Sequence, residues 1–167
     1  GLGQSHAYLS KGDFVKGWAG YDWRWKQSTF SSNPLLTTKP EWNPTTPGRV
    51  LLWGEQGIGD QVMYASLITD LAPLCSKLIV QVDHRLISLF ERSFSDQITF
   101  YSQNQKIPEE QYDTHISMGS LPKYLRDTLS SFKKSSHGYL SPNWELVQRL
   151  REELLSHDTK YLCGIAW

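Results

Sequence analysis

Apolar positions recur along the chain with two different periods, and the change of period divides it. In the opening stretch Phe14, Trp18, Tyr21 and Trp25 stand four, three and four positions apart, which puts them on one face of a helix. Residues 2–10 read as a short helix before it. Lys11-Gly12-Asp13 interrupts the pattern, and Asp13 is placed to cap a second helix running from Phe14 to about Trp25. The aromatic stripe is expected to dock that helix onto the next part of the chain rather than to stack a ligand. Residues 26–48 lose the periodicity. They are rich in Ser, Thr, Asn and Pro, with Pro34, Pro40, Pro44, Pro47 and Gly48 as breakers, and Trp42 is expected to pin them down. No internal repeat recurs within the chain.

From Arg49 onward short apolar runs alternate with amphipathic stretches. Residues 49–53 form a compact apolar run of the kind found in a strand buried on both faces. A helix is predicted from Asp60 to about Ala72, where Pro73 disfavours continuation. Further strands are predicted at 77–82, 97–101, 112–117 and 161–167. Further helices are predicted at 85–92, within 119–129, and at 143–155. Strand and helix in alternation imply right-handed crossovers. The expected fold is α/β: a Rossmann-like, mostly parallel sheet with helices on both faces, occupying 49–160. A short repeat-like helical segment (1–30) and a linker (31–48) precede it.

Composition removes several function classes. Lys and Arg together number 17, as do Asp and Glu, so the formal net charge is +0. No long-range field draws nucleic acid or an anionic membrane. No apolar stretch is long enough to span a bilayer, and no signal peptide opens the chain. Cys75 and Cys163 lie far apart within apolar segments and read as reduced, buried thiols of a cytoplasmic protein. The start at Gly1-Leu2-Gly3, without an initiator Met, reads as a piece of a longer protein. The five histidines, at 6, 84, 115, 137 and 157, lack the close pairing of a zinc site, so no metal is expected. Lys133-Lys134 reads as a solvated basic pair. Four of the seven tryptophans, Trp18, Trp23, Trp25 and Trp42, fall in the first quarter and imply a dense aromatic seam there.

The candidate chemistry sits in the loop Gly54-Glu55-Gln56-Gly57-Ile58-Gly59, between the first strand and the helix after it. Its spacing is G-x-x-G-x-G, not the dinucleotide fingerprint G-x-G-x-x-G, although Asp83 at the end of the second strand keeps an oxidoreductase alternative open. No Walker A motif is present. Glycines allow close backbone approach to a ligand, and amide groups at a helix start favour an anionic or hydroxyl-rich one. Two roles are open to Asp60. It can cap the helix by accepting from the N–H of Val62 or Met63, or it can act as a general base on an acceptor hydroxyl. Ligands of such sheets bind beyond the carboxyl ends of the strands. That rule points first to the loop after Trp53, then to Asp83 and His84, and to Ser117, Gly119 and Ser120. Asp83-His84-Arg85 can equally be a polar helix start.

At this loop the sequence resembles a known group. The run from Gly48 through Gly54-Glu55-Gln56-Gly57-Ile58-Gly59-Asp60-Gln61 to Leu67 is similar to the glycosyltransferase portion of bacterial tetratricopeptide-repeat proteins, relatives of the heptosyltransferases. Val82-Asp83-His84-Arg85 to Phe94, and Tyr161-Leu162-Cys163-Gly164-Ile165-Ala166-Trp167, continue the likeness. Gly12-Asp13-Phe14, Gly17-Trp18 and Tyr21-Asp22-Trp23-Arg24-Trp25 resemble the last repeat helix before such a transferase. The resemblance implies a two-domain (GT-B type), inverting, metal-independent glycosyltransferase, of which this chain is the acceptor-side half. It implies Asp60 as catalytic base, with Glu55, Gln56, Gly57, Ile58, Gly59 and Gln61 shaping the acceptor loop. It implies no cofactor, only a nucleotide-sugar donor held mainly by a C-terminal half that opens at 161–167. The chain by itself is then expected to be inactive, with a sugar or polypeptide acceptor and a tendency to self-associate. The alternative is a non-catalytic interaction module built on a degenerate Rossmann-like unit.

Overall fold

A computed structural model of the chain describes residues 1–132, 138–155 and 163–164. The predicted last strand, except for Cys163 and Gly164, and the Lys133-Lys134 pair lie outside them.

Four strands form one sheet: β1 (Arg49–Trp53), β2 (Lys77–Val82), β3 (Thr99–Ser102) and β4 (Thr114–Ser117). Their order is β3-β2-β1-β4, and all three neighbouring pairs are parallel. The chain steps outward from β1 to β2 and β3, then returns to the other side of β1 for β4. The strand order therefore reverses between β1 and β4, and the switch-point crevice opens at their carboxyl ends. The α/β expectation is met, with a parallel sheet and a preceding helical segment.

Alternation along each strand sends side chains to opposite faces. Val50, Leu52, Leu78, Val80, Val82, Phe100 and Ile116 face one way, into the main core with Ile68, Leu71, Phe90 and Leu121. Each Val, Leu or Ile taken out of water there contributes about 1.5–3 kcal/mol. Leu51, Trp53 and Ile79 face the other way, into a smaller core closed by Ile107 and Tyr112, with Trp25, Leu35 and Tyr101 packed against it. The first face is covered by α3 (Ile58–Ala65), α4 (Ile68–Leu71) and α5 (Ile87–Ser93), whereas the second is covered by 3-10 turns and extended chain.

The opening segment forms a helical hairpin, α1 (Leu2–Ser10) and α2 (Phe14–Tyr21). Asp13 caps α2 as expected, accepting from the Lys16 N–H at 3.4 Å. Ser5 Oγ donates to the Gly17 carbonyl at 2.7 Å, and a Cβ at Gly17 would collide with the Leu9 side chain, so the glycine permits the close crossing. The predicted aromatic stripe docks the hairpin. Phe14 packs on Phe132 at a centroid distance of 4.8 Å, and Trp18 Nε1 donates to the Arg126 carbonyl at 2.7 Å beside α6 (Pro122–Leu125). Trp42 is buried in the main core, edge-on to Tyr124. The last described helix, α7 (Trp144–Leu155), buries none of its residues. Among the described residues no helix is long and apolar enough to cross a membrane.

Candidate ligand cleft at the carboxyl edge of the sheet

The loop after β1 reverses sharply. Gly54 is buried, and its N–H donates to the Gln81 carbonyl at 2.6 Å. A Cβ there would press on the Gln61 side chain at 2.8 Å. Gln56 takes a left-handed backbone, φ 62°, and its N–H is held by Ser32 Oγ at 2.8 Å. That strained turn brings Gly57, Ile58 and Gly59 to the surface. The helix begins at Ile58 with Gly57 as its N-cap, two residues earlier than the predicted start at Asp60. Asp60 therefore stands at the third helical position. Its Oδ2 accepts from the Gly57 N–H at 3.1 Å, rather than from Val62 or Met63. This is the reciprocal half of a capping box; glycine has no side chain to supply the other half. The half-buried Asp60 carboxylate sits at the positive end of α3, beside an exposed arc of backbone.

Glu55 and Gln61, neighbours of that arc in sequence, turn inward. Glu55 meets Arg24, which reaches up from the 3-10 turn Asp22–Lys26 and is 1 % exposed. Arg24 Nε donates to Glu55 Oε1 at 2.8 Å and Nη2 to Oε2 at 3.1 Å, a two-pronged pair. Nη2 also donates to Ser117 Oγ at 3.0 Å and Ser120 Oγ at 2.8 Å, and Nη1 to Asp22 Oδ1 at 3.1 Å. The guanidinium stacks between the Tyr21 and Trp25 rings, each 4.7 Å away. Gly119 is small for a reason: a Cβ there would collide with Glu55 Oε1. Thus Ser117, Gly119 and Ser120, expected to line a loop beside the cleft, enclose a buried ion pair that fills the floor of the switch point.

Gln61 is 2 % exposed and ties α3 to β2: its Oε1 accepts from the Asp83 N–H at 2.8 Å. Asp83 starts the turn His84–Leu86, accepting from the Arg85 N–H at 3.0 Å and from Arg85 Nε at 2.9 Å. Those bonds hold its carboxyl well below the usual range. His84 points to solvent.

Two concavities flank this floor. The larger, about 750 Å³, runs along the second face of the sheet under residues 103–110. Several of its polar groups are already engaged: Gln81 Nε2 donates to the Ser102 and Gln105 carbonyls, Gln103 Nε2 to Gly54, and Glu109 accepts from Thr38. The smaller, about 290 Å³, lies directly over the carboxyl ends of β1 and β4. It has indole walls, Trp25 and Trp53, 5.6 Å apart and inclined at 40°. It carries two carboxylates, Asp22 and Glu41, and the Ser117 and Ser120 hydroxyls. His115 closes one side, its Nδ1 accepting from Trp53 Nε1 at 3.1 Å, and burial lowers its pKa. Glu41 stays exposed to solvent, and partial desolvation in the pocket, then the negative charge of Asp22, raise its pKa.

Arg24, Asp22, Glu41, Trp25, Trp53 and His115 were not legible as site residues. The one signal in the sequence was an arginine set between two tryptophans in Trp23-Arg24-Trp25. Among the described residues no group of His, Cys, Asp and Glu is arranged to hold a metal ion.

No family model matches the chain, and no solved structure matches it. Among curated proteins it is similar to Protein FlbA of Caulobacter vibrioides, 23% identical over 180 residues. The alignment takes in 95% of this chain and 29% of that protein, so the chain spans less than a third of its relative's length.

Proposed function

We propose that this chain is the acceptor-side half of a two-domain glycosyltransferase, which passes a sugar from a nucleotide-sugar to an acceptor hydroxyl. The observation that carries the proposal is the position of Asp60. It is a half-buried carboxylate at the first turn of α3, on an exposed glycine arc, at the carboxyl edge where the strand order reverses. A carboxylate so placed can take the proton of an acceptor hydroxyl as the hydroxyl attacks the anomeric carbon and the nucleoside diphosphate leaves. Its bond from the Gly57 N–H fixes its orientation without consuming both oxygens. The donor is expected to bind mainly to a following domain, and no transfer is expected from residues 1–167 alone. The protein works, in this proposal, in the cytoplasm.

The test is nucleotide-sugar turnover by the full-length protein, with and without Asp60→Asn. Asn keeps an oxygen for the Gly57 N–H but cannot take a proton. A fall of about a hundredfold or more in turnover at unchanged melting temperature supports the base role. Turnover that survives the substitution removes Asp60 from the chemistry.

A second reading is favoured by Arg24. Its guanidinium fills the floor of the switch-point crevice with the chain's own residues. In a non-catalytic interaction module that plug would be purely structural. Absence of turnover with every donor, with Asp60→Ala merely lowering stability by about 0.5–2 kcal/mol, favours this alternative.

A further inference from the structure

The pocket of about 290 Å³ over β1 and β4 has a composition that the Asp60 loop lacks. Two indole faces form an inclined corner, and two carboxylates stand beside it. The charges around it do not cancel. Asp22 is met by Arg24 Nη1 at 3.1 Å and by Lys123 Nζ at 3.2 Å, and Glu55 is met by Arg24. Those two cations contact two carboxylates, Asp22 and Glu55, and among the described residues the Glu41 carboxylate meets neither cation directly. His115 adds no positive charge near neutral pH, since burial favours its neutral form and its Nδ1 accepts from Trp53. An accessible carboxylate beside aromatic faces is placed to receive an organic cation, which the indole quadrupoles also attract. The volume lies at the lower end of the range for small-molecule sites, which suits a single ring. Asp22, partly exposed, retains lone pairs for hydroxyl donors.

We infer that this pocket, with Glu41 as its anchor and Trp25 and Trp53 as its walls, binds a protonated amino sugar. The ammonium group sits against Glu41, and ring hydroxyls donate to Asp22. The pocket adjoins the carboxyl end of β1, the strand from which the Asp60 loop leaves. Its assignment as an acceptor site rests on the transferase proposal; its occupancy by an amine does not.

The experiment is binding rather than turnover, so the two fail separately. The full-length protein is labelled with 5-fluorotryptophan, and the Trp25 and Trp53 resonances are assigned by substitution. Glucosamine is titrated to about 10 mM, tenfold above a millimolar Kd, against glucose at the same concentration and sodium chloride at matched ionic strength. Glucosamine is expected to move both resonances, and glucose to move them at least tenfold less. Glu41→Gln is expected to weaken glucosamine binding tenfold or more while raising the melting temperature at pH 7. The sign follows from the raised pKa of Glu41, which makes its ionised form unfavourable to the fold. The stabilising effect of Gln is therefore full at neutral pH and fades as pH falls toward 4.5. Equal shifts from glucose and glucosamine, or shifts that persist in a stably folded Glu41→Gln protein, overturn the inference. So does the absence of any shift.

Discussion

Arg24 is the residue on which the cleft depends. Six acceptor atoms from five residues and two rings surround a guanidinium that is 1 % exposed. Arg24→Ala leaves the Glu55 carboxylate buried and uncompensated, and is expected to cost about 3–5 kcal/mol, read from urea unfolding. The double replacement Arg24→Met with Glu55→Met is expected to cost less than the sum of the single changes, by about 0.5–3 kcal/mol. Strict additivity would show that the two side chains are not coupled. Arg24→Lys cannot substitute, because an ammonium group lacks the fork that spans both Glu55 oxygens. None of this was readable locally. The partners lie 31, 93 and 96 residues away, and a lone arginine in a sequence is ordinarily a solvated one. The place of Asp60 at the first turn after the glycine loop, by contrast, was legible, because the glycine spacing and the helix start are contiguous with it.

Where the elements depart from the periodic pattern, a side chain has intervened. The stripe of α2 continues to Trp25, but the α-helix stops at Tyr21 and tightens into a 3-10 turn. Arg24 Nη1 donates to the Tyr21 carbonyl at 3.3 Å while its far end is drawn to Glu55, so the last turn cannot stay regular. The long helix predicted after the glycine loop breaks after Ala65, next to Ser66, whose Oγ donates back to the Met63 carbonyl at 2.8 Å. β4 begins at Thr114 rather than at 112, because the Asp113 carboxylate accepts from the Arg49 N–H at 2.9 Å. The strands of the sheet centre were plain from sequence, being continuous apolar runs. At this scale Gln61 is the strap between α3 and β2. Gln61→Ala leaves the Asp83 N–H without its acceptor, and is expected to cost about 1–3 kcal/mol in thermal unfolding. A protein of unchanged stability would mean that water replaces the amide oxygen.

At the scale of the whole molecule, α7 stands apart from both cores. Trp144, Leu146, Val147, Leu150 and Leu154 are all exposed. Such a stripe favours association between copies. Replacing Trp144 and Leu150 with Lys is expected to change stability by no more than about 0.5 kcal/mol and to lower the sedimentation-average mass at high concentration. A large loss of stability would instead place that face against another part of the same molecule. The sheet itself has a different dependence. Its switch-point floor is made of Glu55, Ser117 and Ser120 from the strand ends, but its centre is a side chain from the helical segment ahead of the linker. Recombination that joined the strands from residue 49 onward to a foreign leader would inherit three oxygen-bearing side chains arranged around a missing cation. The heritable piece therefore begins no later than Tyr21, and a transplant that omits Asp22-Trp23-Arg24-Trp25 carries the sheet without its keystone.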